Sequence, residues 1–360
     1  MKIINCHIHT FTIEHVPNRF LPLRLVSILK PDVIRKPLSW IISNLMPFTD
    51  RDVLDRYINF VEITANKSQL ETFERVKGYY PRGTSFVILP MDMEFMAAGK
   101  VKTKYENQLK ELIEVRNIYP ELVLPFVGVD PRRTNILNLV KSFVLENSFV
   151  GIKIYPRLGF YPTDDRLMDI YAFAESRNIP VLSHCSRGGV YTKEVTDEML
   201  IHPVRGKVAK LKPKHFSHYF SEPQNFKTIL TQFPNLKICL AHFGGNSEWD
   251  SYLEREWHPE YTNEEKSWVS QIIEMMEEYP NLYTDISYTA FHSDRYFPLL
   301  GIILENTAIR NRIMFGSDFY MVEREKISER EVALKVRYAL GEEKFKMIAE
   351  TNVKRFLDID

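Results

Sequence analysis

The sequence predicts a single (β/α)8 TIM barrel over residues 1–360, and three observations carry this prediction. Eight short runs rich in Val, Ile and Leu recur along the chain, as expected of strands buried on both faces of a parallel sheet. Longer stretches with a helical period separate most of these runs. The length of 360 residues suits one α/β barrel of roughly 250 residues with insertions. The alternation favours one barrel over two doubly wound domains.

The strand candidates are short apolar runs with a high content of β-branched residues. In chain order they are KIINC (2–6), TSFVILP (84–90), LVLPFVGV (122–129), FVGIKIY (149–155), PVLSH (180–184), LKICLAH (236–242), NLYTDIS (281–287) and RIMFGSD (312–318).

Amphipathic helical stretches lie between most of the strand candidates. In KTKYENQLKELIEVRNIY the apolar residues fall mostly on one side, and TDDRLMDIYAFAESRN opens with a Thr-Asp N-cap signal. Residues 12 to about 80 break the alternation and predict a largely helical insertion after the first strand, a lid or an oligomer contact. The end of the chain, GEEKFKMIAETNVKRFLDI, predicts closing helices.

Composition and charge restrict the partners that the chain is expected to have. It carries 47 basic and 47 acidic residues with no prominent basic block, so neither nucleic acid nor an anionic membrane is an expected partner. The apolar runs are shorter than the roughly 20 residues of a membrane span. The start, MKIINCHIHT, turns polar too early for a signal peptide. We expect a soluble protein that acts on a small molecule, alone or as a homo-oligomer.

The cysteine usage indicates the compartment. Cys6, Cys185 and Cys239 are isolated from one another and lie in apolar, strand-like stretches. An odd, scattered set of cysteines does not form a disulfide framework, and it fits a reducing environment. A cytoplasmic location is the expectation.

The first strand candidate ends in the motif NCHIHTF, which contains His7 and His9. Residues i and i+2 of a strand point to the same side, so the two imidazoles face one direction. In a TIM barrel, the C-terminal ends of the strands form the mouth where active sites lie. Two imidazoles that converge there suit a divalent metal such as zinc.

Four later strand candidates also end in a residue with metal-binding or ionisable chemistry. Lys153 ends the fourth, His184 the fifth, His242 the sixth and Asp318 the eighth. Burial in a sheet explains the Val and Ile of these strands, whereas it does not explain a repeated polar terminus. The other histidines lie in predicted loops or helices and are expected at the surface, except for the ambiguous His218; they are His15, His202, His215, His258 and His292.

These motifs resemble the amidohydrolase superfamily of metal-dependent barrels. HIH in the first strand, SHC and AHFGG at the fifth and sixth, and GSD at the eighth occur in the expected order along the whole chain. The sequence is most similar to the amidohydrolase-related branch that contains the aminocarboxymuconate semialdehyde decarboxylases, and the ending AETNVKRFLDI matches the C-terminal signature of that branch. One departure is Asn5, because many relatives carry Asp two residues before the first histidine.

The resemblance implies a ligand set. His7, His9 and Asp318 would hold a first metal, which His184 completes in mononuclear members of the superfamily. In binuclear members a carboxylated lysine bridges two metals, a place that Lys153 occupies here, and His184 and His242 bind the second. Zinc is the expected ion, as one or two ions, with manganese as the alternative. The lysine has a simpler interpretation as a contact to an anionic substrate group.

The resemblance also implies a mechanism, in which the metal activates a water molecule. Asp318 would act as general base and return the proton to the leaving group, and His242, where it is not a ligand, would stabilise the developing oxyanion. Arg187, Tyr155 and Arg157 are candidates for substrate binding, although each also has an ordinary structural interpretation.

Several functions are compatible with this set of residues. The favoured one is metal-dependent hydrolysis of a C–N or C–O bond in a small substrate, carboxylated or not. A decarboxylase or hydratase could use the same site without hydrolysis. A seven-stranded phosphoesterase barrel also opens with HxH, but the GSD motif on an eighth strand speaks against it. A barrel that has lost catalysis and only binds is hard to reconcile with a complete ligand set.

Overall fold

Eight parallel strands form one sheet in the computed structural model, which describes residues 1–20, 64, 66–256, 266–324 and 327–360. The strands follow one another around the sheet in chain order. They are β1 (Ile4–Ile8), β2 (Ser85–Ile88), β3 (Val123–Val129), β4 (Gly151–Ile154), β5 (Val181–Ser183), β6 (Ile238–Leu240), β7 (Leu282–Asp285) and β8 (Ile313–Met314). All eight predicted strands are therefore confirmed.

The last strand returns to the first and brings the sheet close to a full barrel. The amide of Cys6 donates to the carbonyl of Phe315 over 3.0 Å, and the amide of Asp318 donates to the carbonyl of His7 over 2.8 Å. Both bonds join β1 to β8 and the residues directly after it. The predicted (β/α)8 barrel is confirmed, and its closure places the HIH and GSD motifs side by side.

Helices surround the sheet in the described part of the chain. They are α1 (Gln69–Lys77), α2 (Tyr105–Ile118), α3 (Ile136–Glu146), α4 (Asp165–Ser176), α5 (Pro213–Phe216), α6 (Lys227–Gln232), α7 (Asn246–Ser251), α8 (Trp268–Glu278), α9 (Thr289–His292), α10 (Tyr296–Ile303), α11 (Phe319–Arg324), α12 (Glu329–Lys346) and α13 (Asn352–Leu357).

The helix starts follow local sequence signals. Asp164 caps α4 by accepting a hydrogen bond from the amide of Arg166, and Ser267 caps α8 by accepting one from Ser270. Both caps satisfy amide groups that the first turn of a helix leaves without an intrahelical partner.

The C-terminal signature has a structural role. The side-chain amide of Asn352 donates to the carbonyls of Ile313, at 2.7 Å, and Arg310, at 2.8 Å. The guanidinium of Arg355 donates to the carbonyl of Asn311 over 2.8 Å. These bonds attach α13 to the start of β8, so the signature holds the closing strand.

The predicted insertion at 12–80 lies mostly outside the described residues, which resume with Thr64 and then residue 66. Its described C-terminal part contains α1, whose side chains Phe73 and Val76 are buried against the barrel. The loop after β5 carries a two-stranded hairpin, Ile201–His202 with Gly206–Lys207. No helix in the described part of the chain is long and apolar enough to span a bilayer.

Candidate active site

The predicted strand-end residues meet at one end of the barrel. The ring of His7 lies 5.3 Å from that of His9 and 4.8 Å from that of His242, measured between centroids. The rings of His184 and His242 are also 4.8 Å apart. Lys153 and Asp318 are buried close to them, and the negative charge of Asp318 acts on the Lys153 ammonium. The six predicted metal-site residues therefore form one buried cluster.

The hydrogen bonds of His7 and His9 determine which nitrogen atoms they offer. Nδ1 of His7 lies 3.0 Å from Oδ2 of Asp285, and Nδ1 of His9 lies 2.6 Å from the carbonyl oxygen of Leu89. Both partners accept hydrogen bonds, so each Nδ1 carries the proton and each Nε2 keeps its lone pair. This arrangement is typical of metal-binding histidines, whose other nitrogen donates to a carboxylate or a backbone carbonyl.

One group of side chains fits a divalent metal on its own geometry. The ligand atoms of His7, His9 and Asp318 all lie within 4.8 Å of one another, and all three residues are buried. Nε2 of His7 is buried and has no hydrogen-bond partner among the described residues. Two imidazole lone pairs and one carboxylate are a ligand set that binds zinc and similar ions.

The pKa of His9 reinforces this fit. Burial lowers it well below its usual value, and the nearby positive charge of Lys153 lowers it further. His9 is therefore neutral across the physiological range, which is the form that binds a metal.

Asp285 is a site residue that the sequence analysis missed. It ends β7, where it accepts hydrogen bonds from His7, from the amide of His242 over 3.0 Å, and from the amide of Ser287 over 3.0 Å. Burial alone would raise the pKa of Asp285, but its electrostatic interaction and hydrogen bond with the His7 ring, together with the hydrogen bond from Ser287, hold that pKa below its usual range. The carboxylate is thus ionised and orients His7. The available signal was its place at the end of the seventh strand.

Asp285 also belongs to a second group of neighbouring ligand atoms, which His7 and His242 complete. In this second group, both oxygens of Asp285 and Nδ1 of His7 already form hydrogen bonds within the protein, so these atoms are less free to bind a metal. The group of His7, His9 and Asp318 is consequently the better candidate for the metal.

His184 and His242 form a pair of their own. Nδ1 of His184 lies 3.0 Å from Nε2 of His242, and Nε2 of His184 lies 3.0 Å from the carbonyl oxygen of Gly188. A carbonyl only accepts, so Nε2 of His184 carries its proton and Nδ1 accepts from His242. Burial, with the positive charge of Lys153, lowers the pKa of His242 to about 3. His184 belongs to neither of the metal-binding groups found among the described residues.

The backbone is strained where two site residues follow their strands. His242 has φ 67° and Asp318 has φ 57°, in the left-handed region that few non-glycine residues occupy. The amide of His242 is held by Asp285, and that of Asp318 by the carbonyl of His7. Strain of this kind persists where surrounding contacts fix it, and it concentrates at functional sites.

Lys153 lies inside the barrel with its ammonium group buried. Its Nζ has no hydrogen-bond partner among the described residues, and it lies 5.6 Å from the centre of the Tyr155 ring. Burial lowers the pKa of Lys153 to about 8, although the negative charges of Asp285 and Asp318 partly oppose this.

The three predicted substrate-binding residues differ in their surroundings. Arg157 is 1% exposed, and its Nη1 has no hydrogen-bond partner among the described residues. The ring of Tyr155 stacks on that of His184 with centroids 4.1 Å apart. Arg187 is partly exposed, forms an ion pair with Glu248 and lies over the ring of Trp268. Arg157 is therefore the one of these three residues that has a buried nitrogen without a hydrogen-bond partner among the described residues.

The departure at Asn5 is part of a buried network. Its side-chain oxygen accepts from the amides of His7, at 3.2 Å, and Ser317, at 3.1 Å. Its nitrogen donates to the hydroxyls of Tyr80, at 3.0 Å, and Ser317, at 2.9 Å. Tyr80 in turn donates to Glu329 over 2.7 Å. Asn5 thus connects the backbones of the HIH and GSD motifs. Through Tyr80 it is also linked to a buried acid, Glu329.

Two histidines that were expected at the surface are buried, so this prediction was wrong. Nδ1 of His15 accepts from the amide of Thr12, and Nδ1 of His202 accepts from the amides of Val204 and Arg205. Each ring satisfies backbone donors of the loop that contains it. His258 lies outside the described residues.

The fold and the buried histidine–carboxylate cluster define the class of protein, a TIM-barrel enzyme of the metal-dependent type. The sequence profile of the Amidohydrolase family matches residues 4–359. The chain therefore belongs to the amidohydrolase family, as the motifs predicted. No curated protein sequence matches the chain.

Three solved structures illustrate what the chain is similar to. 5-Carboxyvanillate decarboxylase from Novosphingobium aromaticivorans, solved with manganese, has a TM-score of 0.59 at 14% identity, covering 99% of this chain and 96% of that one. 2,6-Dihydroxybenzoate decarboxylase from Rhizobium has a TM-score of 0.58 at 13% identity, covering 99% of both. 4-Oxalomesaconate hydratase from Rhodopseudomonas palustris has a TM-score of 0.52 at 15% identity, covering 99% and 95%. At these identities the likeness concerns the fold.

Proposed function

We propose that the protein is a metal-dependent decarboxylase of a small carboxylated molecule. The observation that carries this proposal is the pair of buried cations beside the metal-binding group. Nζ of Lys153 and Nη1 of Arg157 have no hydrogen-bond partner among the described residues. A buried cationic group without a partner is costly, and a substrate carboxylate would satisfy it.

His7, His9 and Asp318 would hold the metal, and their mutual distances support this role. A divalent ion bound there supplies Lewis acidity, which polarises a substrate oxygen and lowers the pKa of water. Zinc remains the expected ion, and manganese is the alternative that the Novosphingobium relative supports. Lys153 as a carboxylated bridge and His184 as a further ligand remain predictions.

The chain's own residues would perform the remaining steps. Arg157 would hold the carboxylate in place with two parallel hydrogen bonds. When the C–C bond breaks, its electron pair stays on the substrate carbon, carbon dioxide leaves, and the carbon takes a proton. Asp318, whose Oδ1 lies 3.9 Å from Nε2 of His9, would take a proton from a water molecule and pass it to that carbon, and the hydroxide left behind would combine with the carbon dioxide as bicarbonate. His242 keeps its predicted role of stabilising the negative charge that develops on the substrate on one condition, that its Nε2–H turns from Nδ1 of His184, which lies 3.0 Å away, to the substrate.

Hydrolysis of a C–N or C–O bond is the second candidate. The same position of Asp318 suits a general base for water, and family membership supports it. A cytoplasmic location and a homo-oligomer remain predictions. The three cysteines are free and buried, in keeping with a reducing compartment.

The experiment that tests the proposal combines metal analysis with product analysis. The purified protein is assayed for bound metal, and then for release of carbon dioxide from a panel of hydroxybenzoates and short unsaturated di- and tricarboxylates, with added zinc or manganese. We expect carbon dioxide from at least one acid and at least a 10³-fold loss of turnover in Asp318→Asn. Cleavage of an amide or ester without carbon dioxide would establish hydrolysis instead. A protein without metal and without activity would refute both.

A further inference from the structure

A cavity beside the loop that follows β5 shares only Arg187 with the site described above. It encloses about 600 Å³, a size typical of small-molecule sites. Its walls come from the loop after His184 and from the segment around the hairpin; they are Arg187, Arg205, Leu211, Lys212, His215, His218, Tyr219 and Glu222.

The walls of the cavity are cationic. The segment from residue 203 to residue 218 contains Arg205, Lys207, Lys210, Lys212 and Lys214 and no acidic residue. The even charge balance of the whole chain conceals this local excess, which the sequence analysis overlooked. The acid in the cavity wall is Glu222, whose Oε2 lies 3.0 Å from Arg205 and 3.2 Å from His202, and Asp197 pairs with Lys210 over 3.1 Å.

Two of the cationic wall residues have partners and one does not. Arg205 is paired with Glu222, and Arg187 is paired with Glu248. Lys212 forms no ion pair within the described part of the chain. The wall therefore keeps a net positive charge after its internal pairs are counted.

The cavity adjoins the histidine cluster through the loop after β5. Arg187, in its wall, follows His184 by three residues, and the hydroxyl of Ser221 donates to the carbonyl of Ser186 over 3.2 Å. The charges of both Arg157 and Arg187 reach His218, where burial is the main cause that lowers its pKa to about 3. The charge of Arg157 also acts on His184. The turn Pro156–Leu158 packs against the turn Tyr219–Ser221, so Arg157 lies on a segment that borders the cavity wall at Tyr219.

We propose that this cavity binds a second oxyanion group of the substrate, a carboxylate or a phosphate, while Arg157 holds the reacting carboxylate. The substrate is then a molecule with at least two anionic groups, separated by a small scaffold. Lys212 is the residue that selects it, because Arg205 is already paired with Glu222. The inference rests on the proposed function for the identity of the reacting group. It rests on the charge and the shape of the cavity for the second anion.

A small anion fits the cavity better than a polyanionic chain. Nucleic acid needs an extended cationic surface that follows many phosphates, whereas these cations line one concave space next to a buried site. Lys207 lies on the hairpin of the same segment, is exposed and does not line the cavity. It therefore provides a matched control for charge alone.

The test measures binding of dicarboxylates by calorimetry, with the full chain in its chelator-treated and manganese-loaded forms. The probes are succinate, adipate and suberate, the monocarboxylates of equal length, and inorganic phosphate. We expect one dicarboxylate to bind at least tenfold more tightly than its monocarboxylate in both forms. Lys212→Gln should weaken this binding about tenfold, Arg157→Gln should remove the advantage of the second carboxylate, and Lys207→Gln should change it less than twofold.

Several results would overturn the inference. One is equal binding of mono- and dicarboxylates. Another is equal weakening by Lys207→Gln and Lys212→Gln, with tight binding of a single-stranded oligonucleotide, which would indicate a general polyanion surface. Phosphate that binds through Lys212 without competing with any dicarboxylate would indicate a separate anion site. Dicarboxylate binding without carbon dioxide release would refute only the proposed function, and release that Lys212→Gln leaves unchanged would refute only this inference.

Discussion

The two halves of the site differ in how their charges are partnered. The histidine half, built by β1, β7 and β8, contains His7, Asp285 and Asp318, and Asp285 accepts at least three hydrogen bonds. The cationic half, built by β4 and the residues after it, contains Lys153 and Arg157. Each of these has a buried nitrogen without a hydrogen-bond partner among the described residues.

The difference shows which part of the chemistry the fold completes by itself. In the histidine half, folding fixes the tautomers of the rings and so aims lone pairs at one point. In the cationic half, folding buries positive charge that Asp285 and Asp318 offset only in part, without a hydrogen bond to Nζ of Lys153. An anion that enters would complete this stabilisation. The first half is organised for a cation and the second for an anion.

The largest expected effect concerns the acid behind the histidine half. Burial raises the pKa of Glu329 to about 7, so the folded protein keeps a proton that the unfolded chain loses near pH 4.5. The stability that this group contributes is complete below that pH and is lost as the pH rises through 7, a change of roughly 3 kcal/mol at 1.36 kcal/mol per pKa unit. The variant Glu329→Gln has no carboxyl group at this position, so this pH-dependent change in stability should be absent from it.

Urea unfolding between pH 5 and pH 8 gives the free energy of unfolding of wild type and of Glu329→Gln. As the pH rises, the free energy of unfolding of wild type should fall relative to that of the variant. The matched control is Glu331→Gln, an exposed acid on the same helix, whose difference should stay flat. A flat difference for Glu329→Gln as well would mean that its carboxyl titrates normally.

The second prediction concerns the orientation of His7. Asp285→Asn keeps the shape of the side chain but removes the carboxylate that accepts from Nδ1 of His7. Loss of such a partner typically costs 10–100-fold in metal affinity, and we expect this range in a chelator competition assay. Asp294→Asn, at an exposed position, is the control. Unchanged affinity in Asp285→Asn would show that closure of the barrel alone orients the ring.

Prediction from the sequence succeeded where the signal is local. Buried strands require apolar runs, so all eight were recognisable, and a polar residue at the end of such a run indicated the site. Asp285 has its partner His7 278 residues away, a pairing that only the closed barrel creates. His202 was misassigned because its buried partners are the amides of its own hairpin. Loop burial of this kind leaves no periodic pattern in the sequence.

The third prediction is a substitution in the core that should stabilise the protein, whereas most core substitutions lower the free energy of unfolding. Arg157→Met replaces a buried cation that lacks full partnering with an apolar side chain of similar length, and should raise the free energy of unfolding by about 1–2 kcal/mol. Decarboxylation should be lost, because the substrate carboxylate loses its partner. Arg133→Met is the contrasting control, since it leaves the buried Asp92 without its 2.6 Å ion pair and should destabilise. A destabilised Arg157→Met would show that the guanidinium is well satisfied without substrate.

The smallest expected effect tests why Asn5 replaces the acid of many relatives. An aspartate at residue 5 would place a second carboxylate on Tyr80, which already donates to Glu329. Two buried acids that share one donor raise each other's pKa, so Asn5→Asp should cost about 1 kcal/mol at pH 8 and less at pH 6. Adding Glu329→Gln should recover that loss, because only one acid then remains. A double-mutant cycle of unfolding free energies measures the coupling. Additive effects of the two changes would mean that residues 5 and 329 do not interact energetically. The role of Asn5 would then be limited to accepting hydrogen bonds from the backbone amides of His7 and Ser317.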